Sequence, residues 1–169
     1  GDARVRSLPS GVFPPSVVAD RRQVHRTEAL QDAFEHPLVQ RYAGRAMLGL
    51  FSPRARFGAW RELWIALAKA EHALGLPVKQ EQIAELEEVK DHFDFERVAE
   101  IERELRHDVM AHVHHYGELA PSAKGVIHLG ATSCYVTDNG DLMLYRRALE
   151  LVEQRLVSTC AALARFAET

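Results

Sequence analysis

Apolar residues along this chain recur at steps of three and four, and no stretch shows the alternation of a half-buried strand, so the pattern predicts an all-α fold. The clearest run begins at Ser52-Pro53, an N-cap residue followed by proline at the first helical position. Phe57, Trp60, Leu63, Trp64, Leu67, Ala70, Glu71 and Leu74 then trace one face until Gly75 and Pro77 close it. A shorter helix is predicted near 79–89, with Ile83, Leu86 and Val89 on one side of a charged surface segment. Asp94 is placed as an N-cap, and from Phe95 to about Tyr116 neither glycine nor proline interrupts Val98, Ile101, Leu105, Val109, His112 and Val113. This stretch reads as one longer helix, ended by Gly117 and Pro121. Ser122 to Asn139, with Gly125 and Gly130, reads as a turn-rich connection. A last helix over roughly 138–168 carries Leu142, Tyr145, Leu149, Val152, Leu156, Cys160, Leu163 and Phe166 as a bundle-like seam. At about 46 Å, it is longer than the preceding helices can cover. Its stripe is still running at the end of the sequence, which is expected of a fragment or of a helix buried by other chains.

Composition narrows the class. The 169 residues are 47% hydrophobic, enough for one core, and the formal charge of −3 gives no overall field that would draw the protein onto nucleic acid or anionic lipid. Residues 1–35 hold Pro9, Pro14 and Pro15 without sustained period and read as a flexible leader. No window approaches a membrane span, no signal peptide is evident, and the two cysteines, Cys134 and Cys160, have no zinc-like spacing. A cytoplasmic protein without nucleic-acid or membrane partners is expected.

Three groups of residues invite a chemical reading. His107, His112, His114 and His115 crowd one predicted helix, but the i, i+4 pairing of a helical metal site is missing, and no metal is expected. Arg106, His107 and Asp108 put a cation, an imidazole and a carboxylate in consecutive positions. On a continuous helix they fan over about 200° and cannot converge, although the end of a helix offers them a site. The run His128-Leu129-Gly130-Ala131-Thr132-Ser133 combines close backbone approach with hydroxyls ahead of a helix, which suits an anion and equally suits capping. Arg41-Tyr42 adds a guanidinium beside a phenol.

The wording and order of four blocks, HPLVQRYA, FGAWRELWIALAKAEHALGLP, ERELRHDVMAHVHHYGELAP and GVIHLGATSCYVTDNGDL, resemble the adenylosuccinate lyases of the fumarase/aspartase superfamily, nearer the animal type than the shorter bacterial type. The resemblance implies an N-terminal helical domain over 36–136 and, from 137 to 169, the start of the superfamily's central helical bundle. It implies β-elimination of fumarate from adenylosuccinate and from SAICAR, without a cofactor, in a homotetramer whose sites draw on several subunits. By position, Arg41 and Tyr42 match the pair that holds the nucleotide phosphate. Arg106, His107 and Asp108 match the block facing the substrate, with His107 near the reacting centre and Asp108 meeting the base or its amino group. Thr132 and Ser133 match the pair gripping a succinyl carboxylate. The family's acid, a histidine in T-H-x-x-P-A, and its base, a serine in a motif like S-S-x-M-P-x-K-x-N, do not occur in the 169 residues. The chain alone is therefore expected to be inactive, as the N-terminal portion of a lyase. The alternative is a truncated, non-catalytic paralogue that binds nucleotide or full-length subunits. A relative acting on argininosuccinate or malate fits less well, since those substrates carry no phosphate to meet Arg41 and Tyr42.

Overall fold

A computed structural model of the protein describes Val39 and residues 41–168, which belong to one compact unit. The expected leader, residues 1–35, and His36-Pro37-Leu38 lie outside the described residues. Among those described there are six helices and no strand: α1 (Arg45–Leu50), α2 (Pro53–Ala73), α3 (Gln80–Val89), α4 (Phe95–Leu105), α5 (Asp108–Leu119) and α6 (Ser133–Ala167).

Helix α2 is the axis of the core, and its ends follow local chemistry. Ser52 Oγ accepts from Ala55 N–H at 3.2 Å while donating to the Gly49 carbonyl at 2.8 Å, and Pro53 occupies the first turn, where its missing N–H costs nothing. At the other end Gly75 adopts φ +80°, and the N–H groups of Gly75 and Leu76 return to the carbonyls of His72 and Glu71. This is a Schellman closure, and it needs the left-handed residue that glycine supplies. Trp60 and Trp64 from α2 pack with Ile83 and Leu86 of α3, Val109 and Tyr116 of α5, Ile127 of the connection and Val136 of α6. Each such fully buried side chain contributes roughly 1.5–3 kcal/mol. Gly140 of α6 lets that helix approach Trp60, where an added Cβ would lie 2.9 Å from the indole Cδ1.

One buried cation ties these pieces together. Arg61 is fully enclosed, its Nη1 donating to the carbonyls of Val89, Lys90 and His92 at 2.9, 2.8 and 2.6 Å. It closes the C-terminal end of α3, where unpaired carbonyls gather. Its guanidinium lies over the rings of Phe93 and Tyr116, and desolvation lowers its pKa to about 10, which leaves it charged at neutral pH. Tyr116 Oη, also buried, donates to the Leu86 carbonyl at 2.7 Å.

Two expectations require correction. The single helix over Phe95–Tyr116 is two helices, broken where Arg106 turns left-handed (φ 53°) and His107 is extended. The break lets α4 fold back on α5, so that Val98 and Ile101 pack with Ala111. The connection expected to last until Asn139 ends at Thr132, and α6 starts with Ser133. Helix α1, six residues between Gly44 and Phe51, is an element the apolar pattern does not predict, and it packs against α6. The last helix, by contrast, has the exposed stripe its sequence predicts: Leu149, Leu156 and Leu163 are 69%, 60% and 62% exposed.

Candidate active site

The break between α4 and α5 gives Arg106, His107 and Asp108 a geometry that a continuous helix denies them. Arg106 is the C-cap of α4, His107 the N-cap of α5 and Asp108 its first residue, and all three are exposed. His107 Nδ1 accepts from Met110 N–H at 3.3 Å, and Asp108 Oδ1 accepts from its own neighbour, Val109 N–H, at 2.8 Å. An Nδ1 that accepts carries no proton. The 3.7 Å contact between His107 Nδ1 and Asp108 Oδ1 is therefore no ion pair in this state, and Nε2 holds the ring proton.

The second group sits on the connection. Ala123, Val126 and Ile127 anchor it in the core, so that the following residues emerge at a fixed place. His128 is half-buried, its Nδ1 accepting from the Trp64 indole at 2.9 Å. Gly130 turns left-handed at φ +66°, and Thr132 is the N-cap of α6 with extended backbone. The capping reading of Thr132 is corrected in one respect: its position is the N-cap, but its hydroxyl makes no capping hydrogen bond. It stands beside the N–H end of the longest helix, where partial positive charge favours an anion.

On this connection the pKa of His128 is lowered, first by burial and then by the charge of His107. Glu71 lines the same region from α2. It is buried, its Oε1 faces Gly130, one oxygen has no partner, and burial raises its pKa. Tyr135, one turn into α6, has its phenol raised by burial and by Glu71, and donates to the Leu63 carbonyl at 3.0 Å. The sequence pattern assigns Trp64 and Glu71 only to the apolar face of α2. What marks Glu71 out beforehand is an acidic residue on that face.

Arg41 and Tyr42 lie elsewhere. Tyr42 is 78% exposed and shares a groove with Leu151, Val152, Arg155, Leu156 and Thr159 far along α6. From Ser133 to Val152 the helix rises roughly 28 Å, so one chain does not bring Arg41 and Tyr42 to Thr132 and Ser133.

His112 and His115 of α5 serve packing. His112 stacks on Phe57 with ring centres 3.8 Å apart, and burial brings its pKa down to about 3. His115 Nε2 accepts from Asp94 N–H at 3.1 Å. Among the described residues no group of three or more His, Cys, Asp or Glu is placed to hold a metal ion, and no helix is long and apolar enough to cross a membrane.

No family model matches the chain. Curated relatives do. The adenylosuccinate lyase of Saccharomyces cerevisiae is 45% identical over 141 residues, 80% of this chain and 29% of the yeast protein. That of Caenorhabditis briggsae is 44% identical over 140 residues, 82% of this chain and 29% of the relative. With the adenylosuccinate lyase of Streptococcus mutans the identity is 31% over 119 residues, 70% of this chain and 27% of the bacterial protein. The chain thus spans less than a third of the length of these relatives, and it is more similar to the two eukaryotic ones than to the bacterial one. Over the region they share, this chain belongs to the adenylosuccinate lyase family.

Proposed function

We propose that this chain is the N-terminal portion of a cytoplasmic adenylosuccinate lyase, and that it supplies substrate-holding groups for β-elimination of fumarate from adenylosuccinate, giving AMP, and from SAICAR, giving AICAR. The observation that carries the proposal is the uncommitted Thr132 hydroxyl ahead of the first N–H groups of α6, supported by the exposed Arg106-His107-Asp108 junction that the break between α4 and α5 creates. In the elimination a base removes a proton from the succinyl carbon and the electron pair moves into the adjacent carboxylate. The C–N bond then breaks as an acid protonates the departing nitrogen. Charge accumulates on the carboxylate. Thr132, Ser133 and the first N–H groups of α6 are assigned to that carboxylate, since prearranged donors stabilise charge as it develops. Arg106 holds a second anionic group, His107 stands near the reacting centre, and Asp108 meets the base or its amino group. Proton transfer falls to groups outside these 169 residues, whose sequence holds neither motif.

In the same proposal residues 36–136 form the N-terminal domain and 137–169 begin a central helical bundle, with the exposed stripe of α6 covered by other subunits of a homotetramer. Arg41 and Tyr42, remote from Thr132 within one chain, hold the nucleotide phosphate of another subunit's site.

The test is fumarate release from adenylosuccinate by the full-length protein. The double substitution Thr132→Ala, Ser133→Ala is expected to lower kcat/KM by about 100-fold or more. His107→Ala is expected to lower turnover more than nucleotide affinity. Nucleotide binding without any turnover in the full-length wild-type protein would favour the non-catalytic paralogue instead.

A further inference from the structure

We infer that the buried indole N–H of Trp64 locks His128 in its Nε2–H tautomer, making Trp64 a positioning residue for a hydrogen-bond donor on the connection before α6. Trp64 Nε1 lies 2.9 Å from His128 Nδ1, and the rings meet edge to face at 89°. An indole nitrogen only donates, so His128 Nδ1 accepts and carries no proton while this bond exists; a neutral ring then bears its proton on Nε2. Trp64 cannot readily turn away. It is 1% exposed and packed against Trp60 and Tyr116 on the central helix. His128 is held from the other side by the chain, because Ile127 immediately before it is fully buried.

The same rule applies independently to His107, whose Nδ1 accepts from Met110 N–H. Two imidazoles, anchored by unrelated donors on α2 and α5, are thereby both left with Nε2–H. A neutral donor of this kind suits an oxygen anion of carboxylate or phosphate type, and neither ring in this state serves as a base through Nδ1. Only the identity of that anion rests on the proposed lyase reading; the tautomer assignment does not.

The experiment uses the full-length protein with 15N-labelled histidine, the His128 signals being identified by their loss in His128→Gln. Long-range proton–nitrogen correlation is expected to show His128 Nδ1 as an unprotonated acceptor and Nε2 as protonated. Replacing Trp64 by benzothienylalanine, in which sulfur stands where the N–H was, keeps the ring shape and is expected to yield a mixture of tautomers. With one hydrogen bond lost, kcat/KM should fall about tenfold with Tm little changed, and Trp64→Phe should reproduce the tautomer mixture. A single Nε2–H tautomer surviving both replacements would overturn the lock, as would Nδ1–H in the unmodified protein. A lost lock with unchanged kcat/KM would overturn the positioning role. A lock present in a protein that does not cleave adenylosuccinate would support the tautomer assignment and contradict the lyase reading alone.

Discussion

His112 shows how one residue's environment decides between chemistry and packing. Its ring lies against Phe57 and edge-on to Trp60, and burial, reinforced by the nearby Arg61 cation, holds its pKa at about 3. A histidine neutral in the folded state and titrating near 6.5 when unfolded favours the unfolded chain as acid is added. Its contribution to stability is intact above pH 6.5 and declines as pH falls from there towards 3, with about 2 kcal/mol lost by pH 5. His115, also lowered by burial, acts with the same sign. Urea denaturation between pH 7.5 and 5 should show this slope, and His112→Phe should remove much of it; a variant as acid-sensitive as wild type would contradict the assignment. None of this is legible in the sequence, where His112 reads as one member of a histidine cluster. Its burial depends on Phe57 and Arg61, which arrive from another helix.

At the scale of elements, the sequence pattern is most legible where capping chemistry and period agree. Both ends of α2 follow from Ser52-Pro53 and Gly75, and α3 and the exposed face of α6 follow from spacing alone. The break at Arg106 escapes this reading because no glycine or proline marks it. A non-glycine residue takes φ 53° there, and the fold-back is repaid by packing between α4 and α5. Arg106→Gly should therefore leave stability unchanged or raise it by up to about 1 kcal/mol, while kcat/KM for adenylosuccinate falls at least tenfold because the guanidinium is gone. Loss of fold and activity together would mean that Arg106 is structural. Gly140 sets the contact between α2 and α6. In Gly140→Ala the added methyl meets the Trp60 ring, and overpacking of this kind should cost about 1–3 kcal/mol despite alanine's better helix propensity. Thermal denaturation with an unchanged or higher Tm would show that the helices yield there.

For the molecule as a whole, the described residues are a scaffold whose candidate site is partly assembled. Val109, just after the α4–α5 junction, and Ile127 and Val136, on the connection and in α6, share one core with α2, a packing that sequence blocks cannot show. Arg41 and Tyr42 belong to the same resemblance but sit beside the middle of α6. The exposed seam on that helix is where further subunits would bring such separated groups into common sites. The most direct test of this account is co-assembly of two full-length variants, His107→Ala and Tyr42→Ala, each impaired alone. If His107 and Tyr42 serve one site from different chains of a symmetric oligomer, random mixing at equal amounts should restore about a quarter of the wild-type sites. Fumarate release from the mixture should then rise well above the mean of the two separate preparations. A mixture no more active than that mean would contradict a site shared between chains.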